Sequence, residues 1–178
     1  TASGGILAGL GDADFTDLVG YFDAVLARKP AINNMMLVGH NTIRSITMGL
    51  EPNTPTARQL DIMRSHVERA MEQGACGFST GLIYRPGRYS HTDEVIELTR
   101  AVTDYDGLYA THMRNEGEGL LEAIEETLTI GREADVHTHI SHHKAAGRPN
   151  WGKVGASLAR VEAAINSGQR VTLDVYPY

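Results

Sequence analysis

Leu108-Tyr109-Ala110-Thr111-His112 and Val136-His137-Thr138-His139-Ile140-Ser141-His142 are two short β-type runs, each ending in a histidine, with those histidines 30 residues apart. Between them Leu120, Ile124, Thr127, Leu128 and Gly131 fall at helical spacing, which predicts a helix joining one strand to the next. A strand, a crossover helix and a second strand make a βα unit, and such a crossover places its two strands parallel.

The same cycle recurs on either side. Phe15, Leu18, Val19, Phe22, Val25 and Leu26 form one apolar helical face, Pro30 stops that helix, and Met35 to His40 reads as a short buried strand. Thr54 can cap and Pro55 can open a helix with Leu60, Met63, Val67, Ala70 and Met71 on one side; Gly74 closes it before the strand Cys76 to Gly81. A helix from about Thr92, with Asp93 and Glu94 in its first turn, leads into the run ending at His112. Beyond His142, a helix bearing Leu158, Val161, Ala164 and Ile165 ends at Gly168, and Arg170 to Tyr176 is the fifth strand.

A doubly wound sheet and part of a (β/α)8 barrel both have this rhythm. No glycine-rich phosphate fingerprint follows the first strand, and polar residues stand at successive strand ends: His40, Thr80, His112, His142 and Tyr176. Barrels of this kind build active sites from those ends, so the barrel is favoured. The expectation is an α/β chain, a partial (β/α)8 (TIM) barrel of about five βα units. Residues 1–178 would be the central part of one catalytic domain, without the N-terminal and C-terminal parts of the barrel.

Bulk properties narrow the function classes. A net charge of −6 without a Lys/Arg-rich run argues against nucleic acid as partner. No apolar run approaches the roughly 18 residues of a membrane span, and residues 1–10 lack the basic flank of a signal peptide. A single cysteine, Cys76, excludes an internal disulfide and suits a reducing, cytoplasmic compartment.

The chemistry centres on histidine. Adjacent parallel strands lie about 4.8 Å apart, so His112 and His142, at matched strand ends, can converge on one tetrahedral ion. Strand alternation puts His142 and Lys144 on one face and His137 and His139 on the other. The second pair is a rival metal site, read here as two polar residues against the helix layer. The same alternation puts Asp174, Tyr176 and Tyr178 on one face of the last strand.

Several stretches resemble consecutive motifs of the N-acyl-D-amino-acid deacylases. They are Thr111-His112-Met113-Arg114-Asn115-Glu116, Ile140-Ser141-His142-His143-Lys144 and Asp174-Val175-Tyr176-Pro177-Tyr178, joined by Val38 to Arg44, Gly77 to Tyr84 and Asn150-Trp151-Gly152. The resemblance runs in order from about Val38 onward. It implies a zinc-dependent amidohydrolase of (β/α)8 fold, acting on a small-molecule substrate, an N-acyl-D-amino acid. By resemblance His112 and His142 are zinc ligands on barrel strands five and six. Lys144 is similar to a lysine that holds the substrate carboxylate, and Tyr84 to a tyrosine at the substrate pocket. A tyrosine of the Tyr-Pro-Tyr segment, Tyr176 in preference to Tyr178, would polarise the scissile carbonyl.

The family's His-x-His of strand one, its zinc-ligating cysteine of strand two and its catalytic aspartate of strand eight have no counterpart here, so the resemblance implies strands three to seven. Cys76, in Gly74-Ala75-Cys76-Gly77, is read as a small buried residue rather than a ligand. Two other readings stand beside this one. A cyclic-amide amidohydrolase, hydantoinase- or dihydroorotase-like, would carry a metal-bridging modified lysine where this chain has Ser79-Thr80-Gly81; an inactive half-barrel would bind metal without turnover. Open barrel edges would favour self-association.

Overall fold

The structure is a computed structural model that describes residues 15–177; the stretch 1–10, read for a signal peptide, and Tyr178 lie outside the described residues. The five strands are β1 (Leu37–Gly39), β2 (Gly77–Gly81), β3 (Leu108–His112), β4 (His137–Ile140) and β5 (Val171–Leu173). They form one sheet in chain order, and every neighbouring pair is parallel. Among the described residues β1 and β5 have one strand neighbour each. This is an arc of a (β/α)8 barrel, and the expected parallel sheet in chain order is what the structure has.

The helices are α1 (Leu18–Ala27), α2 (His40–Met48), α3 (Ala57–Glu72), α4 (Thr92–Arg100), α5 (Leu120–Ala134) and α6 (Val154–Asn166). Among the described residues no helix is long and apolar enough to cross a membrane. Local chemistry sets their ends. The Asp17 side chain caps α1 by accepting from the Gly20 N–H at 3.0 Å. Thr56, two residues past the expected Thr54, caps α3 in a reciprocal box with Gln59. Gly74 closes α3 with a φ of 100°.

Two layers follow from the register. Phe78, Tyr109, Thr138 and Val171 are partners across the sheet, and all are buried on the face that packs against the helices. Leu98, Val102, Ile130 and Ala134 close over Phe78 and Tyr109, while Leu120, Ala123 and Ile124 close over Ile140. Gly131 of α5 lies so near the sheet that a Cβ there would meet Thr138 Oγ1 at 2.0 Å. The opposite face carries Ser79, Ala110, His139 and Thr172 in one row.

That layering corrects two expectations. His137 and His139 lie on the face turned away from the helices, because their neighbour Thr138 is the residue that meets α5. Thr80, expected at the site, instead faces the helix layer and bonds Thr111 Oγ1 at 2.7 Å and Tyr109 Oη at 3.1 Å.

Candidate metal centre

The strand ladder continues past β3 and β4. The Leu82 N–H donates to the His112 carbonyl at 3.0 Å, and the Ser141 N–H to that of Thr111 at 3.0 Å. His112 thus ends β3 within the ladder. His142 lies two residues beyond β4, where alternation no longer governs direction. Its φ of 43° is left-handed, unusual for a residue with a Cβ, and its backbone N–H donates to Asp174 Oδ1. The turn carries the imidazole out of the helix-facing row of Thr138 and Ile140 and towards His112.

The two rings meet as expected. His112 Nδ1 and His142 Nε2 are 2.9 Å apart, with ring centroids 4.5 Å apart. Two nitrogens on a tetrahedral zinc, each about 2.0–2.1 Å from it, stand roughly 3.3 Å apart. A few tenths of an ångström of opening therefore accommodates the ion. The other ring nitrogen of His112, Nε2, is buried without a hydrogen-bond partner. Burial pushes the His112 imidazole below its ordinary value; Glu116 opposes that shift and His142 and Lys144 add to it. Neutral imidazole is the metal-binding form. Among the described residues one group of three possible ligands gathers: His112, Glu116 and His142, with candidate atoms within 4.8 Å of one another. The donor set fits zinc.

Lys144 and Tyr176 join this cluster. Lys144 Nζ lies 3.0 Å from His142 Nδ1 and 5.1 Å from the Tyr176 ring centroid, and donates to the His142 carbonyl at 2.8 Å. The Tyr176 ring stacks on His142, centroids 5.5 Å apart. Tyr84 comes from the loop after β2 and brings its ring 4.8 Å from that of His112. That loop is tied down by Arg114, which donates to the carbonyls of Arg88 and Ser90, each at 3.0 Å, while a fork to Glu126 at 2.8 Å holds the guanidinium. The five expected site residues therefore converge.

His40 does not. It opens α2, is fully buried, and its Nε2 pairs with Glu94 Oε1 at 2.8 Å, which also accepts from Arg44 Nε at 3.0 Å. Cys76 precedes β2, at the far end of the strands; it is half-buried rather than buried as expected, and its thiol donates to the Met36 carbonyl at 3.2 Å, away from the histidine pair.

Glu116 closes the Thr111–Glu116 stretch, and the sequence alone assigns it no part. Its carboxylate, almost buried, meets Lys144 Nζ at 2.7 Å and His142 Nδ1 at 2.9 Å. The available signal was a lone acid four residues after a candidate ligand. Asp174 is likewise marked in the sequence only by its strand face. Its carboxyl is held below the ordinary range by the His142 backbone N–H first and by His139 second.

No protein-family model matches the chain. A D-aminoacylase of Alcaligenes xylosoxydans xylosoxydans is 44% identical over 168 residues, 94% of this chain and 34% of the relative. An N-acyl-D-glutamate deacylase of the same organism is 40% identical over 97% of this chain and 36% of the relative. The chain thus spans about a third of the length of the curated relatives it matches. A crystal structure of N-acyl-D-glutamate deacylase from Bordetella bronchiseptica, complexed with zinc and a phosphonate mimic of the tetrahedral intermediate, superposes with a TM-score of 0.89. It shares 41% identity over 97% of this chain and 36% of that one.

Proposed function

The chain belongs to the N-acyl-D-amino-acid deacylase family of amidohydrolases, and on that ground we propose that it supplies barrel strands three to seven of a zinc-dependent enzyme that hydrolyses the amide of N-acyl-D-amino acids. The observation that supports this most is the facing of His112 Nδ1 and His142 Nε2 at 2.9 Å, with the Lys144 ammonium beside them. When bound, zinc supplies Lewis-acid polarisation of a carbonyl and a nucleophilic hydroxide at neutral pH.

Each residue has a part in this reading. His112 and His142 would hold the ion, their two facing nitrogens being the pair turned towards one another. Lys144, reaching in beside them, pairs with the carboxylate of the amino-acid moiety and so fixes which end of the substrate meets the metal. Tyr176, stacked on His142, directs its hydroxyl to the scissile carbonyl oxygen; one good donor to a developing oxyanion contributes about 3–4 kcal/mol. The Tyr84 ring forms a wall of the pocket beside His112.

The cyclic-amide reading finds no support in β2, whose Gly77-Phe78-Ser79-Thr80-Gly81 offers no lysine to modify. The deciding experiment is a pair of measurements on the full-length protein: zinc content, and hydrolysis of N-acyl-D- against N-acyl-L-amino acids. Zinc with selective D-turnover is expected. Zinc without hydrolysis would instead make the chain an inactive metal-binding module. Among the described residues β1 and β5 have a single strand neighbour each, which favours self-association of the isolated chain; sedimentation at micromolar concentration would detect it.

A further inference from the structure

His142 Nδ1 has two neighbours that make opposite demands. Glu116 Oε1 is 2.9 Å away and Lys144 Nζ is 3.0 Å away. A carboxylate only accepts, so a bond to Glu116 needs the imidazole proton on Nδ1. An ammonium only donates, so a bond to Lys144 needs Nδ1 bare. A neutral imidazole carries one ring proton. With that proton on Nδ1, the Nε2 lone pair points at His112 Nδ1 and is free for a metal. With it on Nε2, the nitrogen facing His112 is blocked.

We propose that Glu116 is a positioning residue of the metal centre: its carboxylate fixes the Nδ1–H tautomer of His142 and holds the Lys144 ammonium off Nδ1. The assignment rests on the zinc reading given above. One oxygen does both, since the same Oε1 accepts from Lys144 at 2.7 Å. Lys144 has the His142 carbonyl at 2.8 Å as a further acceptor, so its ammonium stays placed without Nδ1.

The geometry separates this role from that of a third ligand. Glu116 meets His142 at Nδ1 and lies 3.9 Å from His112 Nε2. Those are the nitrogens on the far edges of both rings, away from the facing pair His112 Nδ1 and His142 Nε2. The carboxylate is also held in place. Its side chain is 9% exposed, its carbonyl accepts from the Ala146 N–H at 2.6 Å, and Asn115 Oδ1 pins the next turn through the Gly117 N–H at 2.8 Å. A carboxylate behind a metal-binding imidazole orients the ring, and its loss weakens metal binding 10- to 100-fold.

The test uses the full-length protein and zinc alone, titrated against a chromogenic chelator, with circular dichroism confirming that each variant is folded. Glu116→Ala should bind zinc about 10- to 100-fold more weakly. Glu116→Gln, whose amide oxygen still accepts from Nδ1–H, should recover most of that loss. Lys144→Met removes the competing donor and should leave zinc affinity at or above the native value. Native affinity in Glu116→Ala would overturn the assignment. So would Glu116→Gln binding as poorly as Glu116→Ala, since the carboxylate would then be a ligand. Weak zinc binding by Glu116→Ala, rescued by Gln, in a protein that leaves N-acyl-D-amino acids intact would support this assignment while removing the proposed substrate.

Discussion

Asp174 Oδ1 accepts the backbone N–H of His142, and that bond sits on the one left-handed residue of the candidate metal centre. A residue with a Cβ gives up about 1–2 kcal/mol in that conformation, so the turn at His142 needs an anchor. Asp174→Ala removes the anchor. Its side chain is 60% exposed, so water replaces part of the lost bond and the expected destabilisation is about 1 kcal/mol. Zinc content should fall with it, because the turn aims the imidazole. Asp174→Asn, keeping an oxygen acceptor, should lose less of both. Urea unfolding and metal analysis of the two variants check this; native zinc content in Asp174→Ala would show that the turn holds itself.

His142 and His139 should separate cleanly. His142→Ala is expected to abolish zinc retention and hydrolysis together in the full-length protein. His139 bonds Thr172 Oγ1 at 2.9 Å and Asp174 Oδ2 at 3.1 Å, supporting the anchor from behind. His139 meets only Oδ2, so Oδ1 still anchors the His142 N–H without it, and His139→Ala should keep its zinc. Loss of the metal in His139→Ala with retention in His142→Ala would place the ion at the His137/His139 pair.

Glu94 gives the fold an acid sensitivity. Burial raises its pKa, but the hydrogen bonds and charges of His40 and Arg44 outweigh burial and bring it below the ordinary 4.5. The folded carboxyl thus holds its proton less tightly than the unfolded one. Its stabilising contribution is complete above 4.5 and is lost as pH falls through the depressed folded value. Glu94→Gln strands a buried guanidinium and should cost about 3–5 kcal/mol near neutrality. The gap between wild type and Glu94→Gln should narrow on acidification below 4.5. Denaturant midpoints at a series of pH values read the gap directly, and a constant gap would contradict the sign.

Gly131 marks the closest approach of α5 to the sheet. Gly131→Ala would bring a methyl within 2.0 Å of Thr138 Oγ1. Helix propensity alone would favour alanine by nearly 1 kcal/mol. Overpacking should win, with a net loss of about 1–3 kcal/mol in equilibrium unfolding. A stabilised variant would mean that α5 can slide outward.

The strands, their order and the convergence of His112, His142, Lys144, Tyr84 and Tyr176 were legible because each repeats a local pattern or lies in a recognisable motif. Alternation failed at His142 because a left-handed turn usually announces itself by glycine or asparagine, and here it falls on histidine. α2 carries no signature in the sequence: of its residues only His40, Ile43 and Arg44 are buried, so it lacks a long apolar stripe. The same helix withdraws His40 from the strand ends, where its position in the sequence had placed it. Glu116 shows no periodicity in its polar loop, and its partner Lys144 is 28 residues further on. Such a pair becomes visible only when two strand ends are brought side by side.

Because each strand's neighbour in the sheet is also the next strand along the chain, assembly can proceed by accretion. Every crossover closes a loop of similar length, so the entropic toll of adding a unit stays nearly constant from one step to the next. A nascent chain emerging residue by residue can dock each unit on its predecessor without waiting for a distant segment. His112 and His142 come from consecutive units and are brought side by side before the fifth strand is made, but the turn that aims His142 is anchored only when Asp174 arrives with that strand.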